Sequence, residues 1–163
     1  MDSPPVIRPY RADDRQAIVE LLAASEPWRT LGYTADEWNR RLAGIVADRA
    51  REVDVVEHEG AAAGIAIVRL GFLLGDYLEL FAIGPAVRQR GFGRALLAHL
   101  EQRVLSRATN FFLCVSDFNA PAREFYRRQG YQEIGALDDL LIAGRAEILM
   151  RKTTGPARSR GNP

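Results

Sequence analysis

The most constraining stretch of this chain is LELFAIGPAVRQRGFGRALLAHLEQRV, residues 78–104. An apolar run passes through a proline and a basic, glycine-punctuated segment straight into a helix with Leu96, Leu97, Leu100 and Val104 on one face. A strand and a helix joined so tightly imply a sheet with that helix packed on it. The junction also carries chemistry. The first turn of a helix has unpaired backbone N–H groups and a partial positive charge, which suits an anion. Gly91 and Gly93 let the backbone come close to a ligand, and Arg88, Arg90 and Arg94 add charge-assisted donors. Residues 88–94, with Gln89 and Phe92 among them, read as a pyrophosphate cradle. The plain alternative is a glycine-relieved turn with solvated arginines. Two familiar cradles do not match. A dinucleotide fingerprint needs a third glycine where Leu96 stands, and a P-loop needs a Gly-Lys-Ser/Thr run that this segment lacks.

The flanking sequence supplies the rest of the sheet. Residues 6–11 open as a short strand, and 12–25 carry Ile18, Leu21 and Leu22 at helical spacing. Thr34 followed by Glu37 is a capping-box pattern starting a second helix over 34–48. Residues 52–60 alternate as a strand ending in a Glu59-Gly60 turn, with 61–72 as hairpin partner. A strand over 76–84, a helix over 91–108 and an apolar strand over 110–115 follow. Asn119 then caps a helix that Gly130 ends. Two closing strands, 131–137 and 146–152, complete the order β-α-α-β-β-β-α-β-α-β-β. This predicts an α/β fold, a mixed sheet with helices on both faces.

Composition narrows the function classes. A chain of 163 residues that is 47% hydrophobic suits one domain, expected over residues 1–152, with 153–163 as a disordered tail. No apolar run is long enough to span a bilayer and the N-terminus has no signal pattern, so a cytoplasmic location without membrane partners is the expectation. One cysteine, Cys114, excludes an internal disulfide, and with His58 and His99 it makes no zinc constellation, so no metal is expected. All acidic residues precede Arg151, Lys152, Arg158 and Arg160, which leaves the first 150 residues net negative and argues against a nucleic-acid binder. Ser116, His99 and Asp117 could be drawn as a hydrolytic triad, but no nucleophile-elbow glycines flank the serine.

Arg88-x-x-Gly91-x-Gly93, preceded by LFAIGP and followed by a helix, resembles the acyl-CoA signature of the GCN5-related N-acetyltransferases. FNAPAREFYRRQGY, residues 118–131, resembles that family's second signature, and the likeness covers roughly residues 6–152. The resemblance implies a mixed, mostly antiparallel central sheet, with acetyl-CoA as cosubstrate and an amine as acceptor. It places the pantetheine arm where the strand ending at Ile83 parts from the next, with Phe81 and Ile83 as backbone partners and Asn119 on the arm. Asn119 is equally readable as a plain helix cap.

An amine must lose a proton before attacking a thioester. Strand alternation puts Tyr77, Glu79 and Phe81 on one face. Glu79, where several family members carry an acid, is the candidate base; its alternative is a salt-bridged strand carboxylate. Tyr126 matches the family's general acid, the alternative being a core aromatic. Acceptor contacts are expected from the segments that vary most in that family, here EPWRTLGY and LDDLLIAGR, where Asp138, Asp139 and Glu26 could attract the amine and Trp28 and Tyr33 wall the pocket; the alternative is that the acids are solvated turn residues and the aromatics cap the core. Dimerisation is common in that family, but no patch in the sequence can be assigned to it. A second class of function, a non-catalytic acyl-CoA sensor or scaffold, would keep the Arg/Gly loop and need neither Glu79 nor Tyr126.

Overall fold

The computed structural model describes residues 4–158. Seven strands form one sheet: β1 (Val6–Pro9), β2 (Arg51–His58), β3 (Ala61–Phe72), β4 (Gly75–Ile83), β5 (Asn110–Ser116), β6 (Gln132–Asp138) and β7 (Ala146–Thr153). Their spatial order is β1-β2-β3-β4-β5-β7-β6. Only β4 and β5 pair in parallel, which is why a helix, α3 (Phe92–Arg107), must cross between them. The remaining helices are α1 (Arg15–Ala24), α2 (Ala35–Ala47) and α4 (Ala120–Arg128). The element order is the one the sequence predicts, with short 3-10 turns added before α1 and after β4.

Local chemistry accounts for the boundaries. Thr34 and Glu37 form the expected reciprocal cap of α2, Thr34 Oγ1 accepting from the Glu37 N–H and Glu37 from the Thr34 N–H. Asn119 Oδ1 accepts from the Ala122 N–H at 3.4 Å to cap α4. The sheet buries both faces. Leu96, Leu97, Leu100 and Val104 of α3 and Tyr126 of α4 pack with Val56, Ala66, Val68 and Leu78 on one side. Ile18 and Leu22 of α1 and Trp38 and Leu42 of α2 pack with Val55, Ile65, Ile67 and Leu80 on the other. Each fully buried Val, Leu or Ile side chain among these contributes roughly 1.5–3 kcal/mol.

Beyond this core, α3 is clamped to the sheet by charge. Arg103 bonds the buried Asp54 at 2.5 Å, and Arg107 bridges Glu52 and the buried Asp76, each at 2.8 Å. The last strand closes beside the expected domain end at residue 152. Thr153 belongs to β7, and the Thr154 N–H bonds the Thr109 carbonyl at 2.9 Å. Residues 159–163 of the expected tail lie outside the described residues.

Candidate active site

The parallel pairing of β4 and β5 stops early. It runs from Gly75↔Asn110 to Leu78↔Leu113, after which the two strands part. The gap opens into a cleft of about 1310 Å³ lined from both strands, the α1–α2 loop, the start of α3 and α4. Its walls include Glu79, Phe81, Ile83, Asn119 and Tyr126, so residues 47 positions apart in sequence meet at one opening.

A β-bulge shapes the β4 side. Ile67 faces Leu80 and the next residue, Val68, faces Leu78, which leaves Glu79 as the extra residue. The expected sharing of one face by Tyr77, Glu79 and Phe81 therefore fails. Phe81 and Ile83 lie with Leu78 on the α3 side, whereas Leu80 and Ala82 lie on the α1–α2 side. Simple alternation assumes an unbroken ladder, and one unpaired residue reverses it. Glu79 instead meets Arg51 of β2. Arg51 Nε and Nη2 donate to its two carboxylate oxygens at 2.8 and 3.0 Å, and Arg51 also holds Asp48.

The Arg/Gly loop turns on two left-handed residues. Gln89 and Gly91 take left-handed conformations, φ 59° and 85°, so the chain turns abruptly into α3. A side chain at Gly93 would meet its nearest neighbour, Ile83, at an ordinary 3.4 Å, so the protein's own packing does not demand that glycine. The arginines divide their work. Arg88 Nε donates to the Ile83 carbonyl at 2.9 Å, tying the loop to the end of β4 and occupying one of the expected backbone partners. Arg90 donates to the Ala86 carbonyl, lies 3.4 Å from His58 and stacks over Phe92. Arg94 is exposed and lines the cleft. Phe92 turns its ring into the core, 2% exposed, so only its backbone can meet a ligand.

On the α4 side, Tyr126 is buried against Phe81, Phe125 and Tyr131, yet it lines the cleft. Burial pushes its phenol well above the usual range, so the hydroxyl holds its proton. Cys114 and Tyr77 both line the cleft, and burial pushes both groups up. The drawn triad does not form. Ser116 Oγ donates to Glu147 Oε1 at 2.6 Å, and His99 is exposed on α3.

The expected acceptor residues split. Trp28 and Tyr33 line the cleft around Trp38, at ring distances of 5.5 and 5.3 Å, with Arg41 stacked on Tyr33. Asp138 and Asp139 are not among its walls. Asp139 Oδ1 accepts from the Gly144 N–H at 2.6 Å and closes the β6–β7 turn. Glu26 lines the cleft but pairs with Arg29. Two groups escaped the sequence reading: Arg51, whose tie to Glu79 spans 28 positions, and Glu147. The signal for Glu147 was available, since it is the one acid in the otherwise apolar and basic run of β7.

Comparison with known proteins points the same way. The model of the acetyltransferase (GNAT) family matches residues 15–131. The peptidyl-lysine N-acetyltransferase YiaC of Escherichia coli strain K12 is 28% identical over 129 residues, 77% of this chain and 82% of its own. The crystal structure of the ribosomal-protein-S18-alanine N-acetyltransferase of Escherichia coli superposes with a TM-score of 0.79 at 20% identity, covering 98% of this chain and 99% of that one. An aminoglycoside 6'-N-acetyltransferase complexed with coenzyme A gives 0.78 at 17% identity over 94% and 99%. These two structural likenesses are of fold.

Proposed function

The chain belongs to the acetyltransferase (GNAT) family, and from that premise we propose that it moves the acetyl group of acetyl-CoA directly onto a primary amine. The observation that carries this is the parting of β4 and β5 beside the amino terminus of α3. Acetyl-CoA needs a cradle for its pyrophosphate and a slot for its arm, and the residues present fit both. Left-handed Gly91 presents the first-turn N–H groups of α3 next to Arg94. Beyond Leu78 the edge of β4 has lost its strand partner, leaving backbone groups that can pair with the arm's amides as an added strand would. Asn119 spends its carbonyl on the helix cap and keeps its amide N–H groups for the same slot.

The bound cosubstrate supplies a thioester carbonyl. The chain supplies proton handling and exclusion of water. Tyr126, kept protonated by burial, gives a proton to the departing sulfur. Glu79 stands on the acceptor side with both oxygens committed to Arg51, so it acts on the amine through a water or through its charge. The relatives named above carry acetyl groups to peptidyl-lysine, to a ribosomal-protein alanine and to aminoglycosides, which makes the amine the variable part of the site.

The test is a thermal-shift titration with acetyl-CoA, using ATP and NAD as controls, since a ligand of the folded state raises its melting temperature. A rise with acetyl-CoA alone, followed by amine-dependent CoA release, is the expected result. Equal rises with ATP would remove the assignment. A rise without CoA release for any amine would favour the non-catalytic sensor.

A further inference from the structure

Four carboxylates line the cleft: Glu26, Glu79, Glu124 and Glu147. Three are paired with arginines, Glu26 with Arg29, Glu79 with Arg51 and Glu124 with Arg128. Glu147 differs. Among the described residues its recorded partner is the Ser116 hydroxyl, and it is 7% exposed at the floor of the opening. The groups around it do not compensate a negative charge. Tyr77 on β4 and Cys114 on β5 are neutral, and Asp117 just after β5 is itself acidic, offset by Arg145 at 3.7 Å and the Ala146 N–H. Burial and Asp117 push the Glu147 carboxyl above the ordinary glutamate range. A carboxylate kept buried without a cation is costly to the fold, so its retention in a cleft marks it for a ligand.

The rest of the acceptor side carries the complementary message. Trp28, Tyr33 and Trp38 form an aromatic wall. Leu141 also lines the cleft, within an exposed apolar run that includes Leu140 and Ile142. Arg41 sits over Tyr33 on the same side. A polycation would find one unpaired carboxylate and meet an arginine.

The geometry points to Glu147 as the group that receives the acceptor, and to an acceptor that is a primary amine with one positive charge flanked by apolar surface. This rests on the N-acetyltransferase reading of the cleft. The ammonium donates to Glu147 Oε2, the carboxylate oxygen that Ser116 does not bond, with its apolar neighbour against Trp28 and Tyr33. Glu147 takes one proton from the ammonium and passes it to solvent. The nitrogen lone pair then forms the C–N bond as the C–S bond breaks. The second proton lost by nitrogen replaces the one Tyr126 gives to sulfur, so the cycle releases one proton.

The experiment uses full-length protein labelled with carbon-13 at the glutamate carboxyls, with the Glu147 signal assigned by its loss in Glu147→Gln. Phenethylamine, a single ammonium beside an aromatic ring, and spermidine, a polycation, are the probes. Phenethylamine is expected to shift the Glu147 signal at concentrations at least tenfold below those spermidine requires. Glu147→Gln is expected to raise the KM for phenethylamine at least tenfold while the acetyl-CoA thermal shift stays intact. No response of Glu147 to either amine, or an unchanged KM in the variant, overturns the assignment of Glu147. An equal or stronger response to spermidine overturns the single-charge acceptor. Loss of the acetyl-CoA shift in the unmodified protein would instead sink the acetyltransferase reading on which all of this stands.

Discussion

In the proposed mechanism Tyr126 has two jobs on one side chain. Its ring packs against Phe81, Phe125 and Tyr131, and the residue is one of those that line the cleft. Tyr126→Phe keeps the ring and removes the proton donor. We expect turnover to fall by about 10²–10⁴-fold, the usual span for a lost general acid, with acetyl-CoA binding and the melting temperature nearly unchanged. Steady-state kinetics beside a thermal-shift assay check this. Glu147 should behave in the opposite sense on stability. Its folded pKa is raised, so the folded state binds more protons than the unfolded one between the two values, and stability falls as pH rises through that window. Glu147→Gln keeps an oxygen for Ser116 and removes the charge. The unliganded variant is therefore expected to melt higher than the parent above that window and to converge with it at acid pH. A lower melting point at pH 8 would contradict the buried-carboxylate account.

At the level of elements, the cleft depends on where β4 and β5 touch before they part. Gly75, at the start of their pairing, has the Asn110 carbonyl oxygen 2.2 Å from where a Cβ would stand. No backbone there can yield without separating the strands. Gly75→Ala is expected to destabilise the protein by about 1–3 kcal/mol, the range for overpacking, and to weaken acetyl-CoA binding because the divergence moves. Chemical denaturation and the acetyl-CoA shift together read both effects. The bulge at Glu79 belongs to this scale too. Period-two reasoning put Tyr77, Glu79 and Phe81 together, and the extra residue sent Phe81 to the α3 side while Glu79 met Arg51. A bulge has no reliable local signature, since it is decided by how two strands fit.

For the molecule as a whole, α3 is what joins cofactor loop to sheet, and charge holds it as well as apolar packing. Removing Arg107 leaves Asp76 buried with the Gly71 N–H as its partner among the described residues. Arg107→Ala is expected to cost about 1–3 kcal/mol, as for a buried acceptor that loses a partly exposed partner, seen as a lower denaturation midpoint. Acid should act through the same kind of contact. Arg8 lowers the Asp14 carboxyl and Arg107 lowers that of Glu52. Both contribute stability that is present above their unfolded values and lost as pH falls through the folded ones. Arg8→Met should flatten that acid limb in a pH series of melting temperatures. No helix among the described residues is long and apolar enough to cross a membrane.

What the sequence determined by itself was local. Helix caps at Thr34 and Asn119, the turn at Glu59-Gly60, the element order and the glycine-led start of α3 all depend on neighbours within a few positions, where residue chemistry acts directly. Only the tertiary structure decided which carboxylate is free. Glu79 and Glu147 look alike as strand acids in a linear reading. Arg51 reaches the first from 28 positions away, and among the described residues nothing basic pairs with the second. Asp139 is open in a linear reading to an acceptor contact or a turn, and the fold shows it bonding the Gly144 N–H of the β6–β7 turn. Charge compensation is a property of what folds alongside a residue, so the role of each acid in the cleft becomes visible only when the strands are in place.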